Sequence, residues 1–129
     1  MKIHALGCHG GETPAHRTTC FLIDDCIAID AGAICRTLSL DEQVKIDHIL
    51  VSHSHMDHVK DLALLADQVI GRRKTPVFLH CGPETAETLR SSYFNNFLWP
   101  DFTKIPTPAN PTMTICEVEP FGTFVIGDQ

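Results

Sequence analysis

The feature that narrows this chain most is the stretch Ser52-His53-Ser54-His55-Met56-Asp57-His58, set between two runs of different periodicity. Before it, Asp47-His48-Ile49-Leu50-Val51 is short, apolar and β-branched, the pattern of a strand. After it, Val59, Leu62, Ala63, Leu65, Ala66, Val69 and Ile70 recur at helical spacing, which predicts a helix starting near Asp57. The histidines therefore sit on the turn where a buried strand hands over to an amphipathic helix. In extended chain alternate side chains share a side, so His53 and His55 can converge on one ion. Asp57 and His58 follow where the chain turns and can aim at a second position beside the first. Imidazole and carboxylate at this spacing suit a borderline divalent cation, zinc first, with manganese and iron as further fits. A polar loop without such a role seldom places four ligand-type residues between a strand and a helix.

His53-Ser54-His55-Met56-Asp57-His58 resembles the H-x-H-x-D-H signature of the metallo-β-lactamase superfamily. Other pieces are similar to one branch of it, the class II cyclic-nucleotide phosphodiesterases and their bacterial relatives. They are Gly7-Cys8-His9-Gly10-Gly11, then Arg17-Thr18-Thr19-Cys20-Phe21-Leu22-Ile23-Asp24-Asp25, then Ile29-Asp30-Ala31-Gly32, and finally Trp99-Pro100-Asp101-Phe102. The resemblance implies an α/β fold, the αββα sandwich of that superfamily. It implies only the N-terminal half of that sandwich, a mixed sheet with helices on one face, with residues 1–129 as a single domain. It assigns His53 and His55 to one metal and Asp57 and His58 to a second, two divalent ions in all. Asp57 is also the candidate catalytic residue. The implied activity is hydrolysis of a small-molecule phosphodiester, first a 3′,5′-cyclic nucleotide, through a metal-bridging hydroxide.

The resemblance also implies three further ligands, a His, a bridging Asp and a final His, from the second half of such a fold. No stretch of this sequence matches them, so the four residues alone leave both ions short of donors. Even modest misplacement of a reacting group costs on the order of a hundredfold in rate. The expectation is that the 129 residues alone are a weak phosphodiesterase at best. They are also expected to expose the sheet face that a second half would cover, a patch that is buried in a homo-oligomer or causes aggregation; the homo-oligomer is the expected state. Two rivals stand beside this reading. One is another hydrolase of the superfamily, acting on a thioester, a lactam or RNA; the other is a non-catalytic metal-binding or assembly module.

Composition enters as a set of exclusions. A net charge of −6 argues against a nucleic-acid footprint, which needs clustered Lys and Arg. No apolar run approaches membrane-spanning length, and Met1-Lys2-Ile3-His4-Ala5-Leu6 is too short and polar for a signal peptide. The expected location is cytoplasmic, with the six cysteines as reduced thiols. Cys20, Cys26 and Cys116 lie in apolar runs and read as small core residues.

Taken in order, residues 2–6 read as a strand ending in the glycine turn at 7–11, followed by a loop over 12–17. Strands are expected over 18–23 and 26–29, joined at Asp24-Asp25 by a tight hairpin turn. Asp30 is either a support for the metal loop or an ordinary strand-end residue. Ser39-Leu40-Asp41-Glu42 has capping-box spacing and predicts a short helix. Gly71 suits the left-handed position after the long helix, and Arg72-Arg73-Lys74 reads as a solvated positive end. Asp61, one turn beyond Asp57, either approaches the metals or faces water.

Residues 76–80 form the next expected strand, and Gly82-Pro83-Glu84 starts a helix running to about Asn95. His80 reads as a strand-end histidine with a structural role. Tyr93, Phe94, Phe97, Trp99 and Phe102 read as core or subunit-contact surface. Pro106, Pro108 and Pro111 mark an irregular connector. Strands are expected over 113–118 and 121–126, with Gly127-Asp128 as a following turn.

Overall fold

The computed structural model describes residues 1–126, and the turn expected at Gly127-Asp128 lies outside them. The chain opens with β1 (Ile3–Gly7), β2 (Cys20–Ile23) and β3 (Ile27–Ile29). Two short helices follow, α1 (Ile34–Thr37) and α2 (Leu40–Gln43), before β4 (His48–Leu50). Then come α3 (Met56–Val69), β5 (Val77–Cys81) and α4 (Pro83–Thr88), which widens into a π turn over Leu89–Tyr93. A minimal hairpin, β6 (Pro106–Thr107) with β7 (Asn110–Pro111), precedes β8 (Met113–Glu117).

Six strands make one mixed sheet in the order β1-β2-β3-β4-β5-β8. The first three pair antiparallel, and β3, β4, β5 and β8 run parallel. Between β2 and β3 the turn residues Asp24 and Asp25 both have positive φ, 45° and 61°, as a hairpin of the type I′ kind requires. The Ser39 capping box closes as expected, with Ser39 Oγ accepting from Glu42 N and Glu42 Oε2 accepting from Ser39 N. Gly71 takes φ 71° directly after α3, where a side chain would strain the backbone.

The register divides the sheet into two faces. Leu22, Ala28, Ile49, Leu79 and Ile115 align across neighbouring strands. They share one core with Val59, Leu62, Leu65 and Val69 of α3 and Ile34 of α1. Helical spacing on α3 and alternation on the strands thus meet on one side of the sheet. Fully burying a Leu here contributes about 1.5–3 kcal/mol. The next row, Phe21, Ile29, Leu50, His80 and Cys116, faces the other way and is half-buried.

Several expectations are corrected. Residues 121–126 form no strand. Phe121 sits at φ 62°, outside the β region, Pro120 and Gly122 flank it, and Phe124 folds back onto His80 of β5 rather than extending a ladder. The proline-rich connector pinches into the small β6–β7 hairpin. Cys26 and Cys116 are half-buried rather than core, while Cys20 is fully buried; the cysteines of the described residues are free thiols.

Arg73 is not a solvated helix end. Its side chain is 8% exposed, donating to Asp47 Oδ1 at 2.6 Å, to the Thr75 carbonyl at 3.2 Å and to the Val44 carbonyl. It therefore ties the exit of α3 to the approach of β4, the two elements that flank the histidine loop.

Candidate metal centre

The histidine loop begins where β4 ends. Val51 N donates to the His80 carbonyl at 2.8 Å, which fixes the loop's first residue to β5. Ser52 then turns toward the end of β3: its N–H donates to Asp30 Oδ1 at 2.8 Å, and its hydroxyl reaches both carboxylate oxygens at 2.9 Å. Asp30 is 3% exposed and holds φ 59°, a left-handed conformation that costs a non-glycine residue about 1–2 kcal/mol. Its hydrogen bonds, to charged oxygens in a buried place, offset that cost.

The other oxygen of Asp30 accepts from His58 Nδ1 at 2.7 Å. Because Nδ1 carries the donated proton in neutral imidazole, Nε2 is left with its lone pair outward. That nitrogen lies 3.3 Å from Asp57 Oδ2. His53 packs against both other rings, with centroids 4.5 Å from His55 and 4.1 Å from His58. His53 Nδ1 lies 3.0 Å from Ser52 Oγ. His53, Asp57 and His58 are half-buried and His55 is exposed, so the cluster opens to solvent.

Asp30 is thus a support for the loop, not an ordinary strand-end residue. Its neighbours do as much through the backbone, which the sequence reading missed. Ala31 N donates to the His58 carbonyl at 2.7 Å, and its own carbonyl accepts from Asp61 N at 3.0 Å. Gly32 lies so close that a Cβ there would stand 2.2 Å from the Asp57 carbonyl oxygen. Only glycine permits that approach. The signal was present in the Asp30-Ala31-Gly32 triplet, but its partner, the first turn of α3, is remote in sequence.

Asp61 neither approaches the cluster nor faces water. It is 2% exposed, and its Oδ2 accepts from Cys35 N at 2.8 Å, capping the start of α1 from a different helix. Lys60 Nζ lies 3.1 Å from Asp61 and 3.2 Å from Glu12, and Glu12 also meets Arg36 at 2.8 Å. Burial alone would lower the Lys60 ammonium, but Asp61 and Glu12 hold it above its ordinary value. The Arg36 and Lys60 partners keep the Glu12 carboxyl below the usual carboxylate range.

The side chains of His80 and Asp101 have partners outside the loop. His80 pairs with His48, Nε2 to Nδ1 at 3.0 Å, and stacks on Phe124 with centroids 5.2 Å apart. Burial and the neighbouring His48 push its pKa down. Asp101 is occupied by Thr103 and by Lys104 Nζ at 2.7 Å. Two clefts meet beside Ser52: one of about 480 Å³ lies against His53 and the start of α4. The other, about 410 Å³, is lined by Ile29, Leu50, His80 and Phe124.

Three imidazoles and a carboxylate, one of them oriented by a buried acid, are donors that fit a divalent metal by their chemistry. Their side chains lie as neighbours, but among the described residues no three His, Cys, Asp or Glu side chains converge as a set that could hold an ion. The residues the sequence singled out are neighbours, but among the described residues they do not form a closed ligand set.

Residues 21–128 match the family described as the beta-lactamase superfamily domain. The fold is similar to the crystal structure of unliganded yeast PDE1, with a TM-score of 0.78 and 18% identity over 98% of this chain and 52% of that one. It is also similar to the metallo-beta-lactamase fold protein YhfI from Bacillus subtilis, with a TM-score of 0.61 and 17% identity over 97% of this chain and 49% of that one. The chain spans about half the length of these structures. No curated protein matches the sequence.

Proposed function

The chain belongs to the metallo-β-lactamase superfamily, and from that premise we propose that it carries the metal-binding part of a hydrolase for phosphodiesters, in the first instance a 3′,5′-cyclic nucleotide. The observation that carries this reading is the relation of Asp30, His58 and Asp57. A buried carboxylate fixes the ring so that its free nitrogen turns toward the neighbouring acid. His53 and His55 form one pair of donors and Asp57 and His58 the other. When bound, two divalent ions, zinc first, would acidify a shared water and neutralise charge on the phosphate oxygens.

The chain's own residues have definable tasks in such a site. Asp30 orients His58 and receives Ser52; Ser52 in turn steadies His53. Asp57 lies in the first turn of α3, where the helix dipole favours its negative charge. The cleft beside His53 gives a small substrate access to the loop. The choice of a phosphodiester draws support from the likeness to yeast PDE1 and from the Trp99-Pro100-Asp101-Phe102 segment, which resembles the phosphodiesterase branch.

The test is turnover of cyclic AMP, bis(p-nitrophenyl) phosphate, a thioester and a lactam, with zinc or manganese supplied. The 129-residue chain is expected to be weak at best, and a protein that completes the fold should hydrolyse the phosphodiesters. Asp57→Ala should then abolish turnover with little change in folding. Preference for the thioester or lactam would overturn the substrate class, and metal binding without turnover in the completed protein would leave a non-catalytic module.

A further inference from the structure

Residues 95–99, which follow the π turn, are built to hold an aromatic side chain out in water. Asn95 Oδ1 accepts from the backbone N–H groups of both Phe97 and Leu98 at 2.9 Å. Asn96 sits at φ 64°, donates its N–H to the Trp99 carbonyl at 2.9 Å, and accepts from Asp101 N at 2.9 Å. Asparagine side chains that close such bonds make a fixed turn. The turn leaves Phe97 95% exposed and Leu98 56% exposed.

Beside it lies an apolar cleft of about 270 Å³, lined by Met56, Lys60, Leu64, Tyr93, Leu98 and Trp99. Met56, Lys60 and Leu64 are spaced four apart on one face of α3, and Met56 and Leu64 are 56% and 44% exposed. The rim cation Lys60 is already paired with Asp61 and Glu12. Tyr93 forms a rigid wall, its hydroxyl donating to the Val59 carbonyl at 2.8 Å and accepting from Ala63 N at 3.2 Å.

We propose that this surface is the contact between two copies of the chain, each inserting Phe97 into the other's cleft beside Trp99. A two-fold interface uses the same patch on both partners, so one surface carrying a projecting ring and an apolar cleft is complementary to itself. Aromatic and Met side chains with few free charges are what the buried centre of such a contact contains. The exposed parts of Met56, Leu64, Phe97 and Leu98 amount to at most on the order of 500 Å² per copy. Complete burial of all four on both copies would remove about 1,000 Å² in total, the least that a specific interface has to reach. A net charge of −6 disfavours an anionic lipid surface or a nucleic acid as the occupant. The contact would end beside the histidine loop, since Met56 lies between His55 and Asp57. It does not depend on which substrate the protein takes.

Sedimentation velocity over a wide concentration range tests this, read together with emission from Trp99, the only tryptophan in the sequence. The chain should form a concentration-dependent dimer whose emission shifts to the blue as Trp99 is covered. Phe97→Glu and, separately, Leu64→Glu should each weaken the dimer at least about thirty-fold, the loss expected for a central contact. Both positions are exposed, and far-UV circular dichroism should stay unchanged. A monomer at all concentrations would overturn the proposal. So would a dimer that survives both substitutions with the Trp99 emission unmoved, which would put the association on another face.

Discussion

Asp30 Oδ2 stands 2.7 Å from His58 Nδ1 and joins the end of β3 to the first turn of α3. One buried acid thereby sets which nitrogen of His58 faces Asp57. The same acid holds Ser52, so the loop between β4 and α3 is anchored at both ends by a residue far away in sequence.

Asp30→Ala should therefore loosen the metal centre without touching a ligand. Losing the partner that orients a ligating histidine typically costs 10–100-fold in metal affinity. Zinc competition titration should show a drop of that order. The freed Ser52 N–H should also lower stability by about 1–3 kcal/mol in denaturant unfolding. Unchanged zinc affinity would mean that His58 is held by something else, or is not a ligand.

Asp61→Ala should separate stability from metal binding. It leaves the half-buried Cys35 N–H without its acceptor, a loss of about 1–3 kcal/mol. Lys60 keeps Glu12 as a partner. Urea unfolding should show the loss while zinc affinity stays close to the parent's; a parallel loss of zinc would place Asp61 in the centre after all.

What the sequence disclosed and what it withheld divide along sequence distance. The β4–α3 junction was legible because strand, histidine loop and helix are contiguous, and each carries its own period. Asp24-Asp25, the Ser39 box and Gly71 were legible for the same reason: each acts on backbone within four residues. Asp61 and Arg73 were misread because their partners, Cys35 and Val44, come from elements brought alongside only by the core. Residues 121–126 have strand composition, but β-structure needs a neighbour, and composition carries no information about one. The supporting role of Asp30 was one of two readings until the fold put Ser52 and His58 beside it.

Tyr93 gives a pH test of the packing over α3. Burial pushes its phenol up to about 12. It is the only tyrosine in the sequence, so phenolate absorbance reads it alone. Ionisation should occur near 12 in the folded chain and near 10 in denaturant. The folded state holds this proton more tightly, so its contribution to stability is full below about 10 and is lost as pH rises through about 12. Ionisation near 10 in the folded chain would show that the hydroxyl is not lodged against Val59 and Ala63.

Metal content decides most directly whether the loop that carries His53 and His55 is a metal centre. Elemental analysis should find zinc in the purified, zinc-supplemented chain. The His53→Ala, His55→Ala double variant should lose most of it while its far-UV circular dichroism stays native-like, because neither ring belongs to the core. Zinc content unchanged in the double variant would contradict the assignment of a metal centre to this loop.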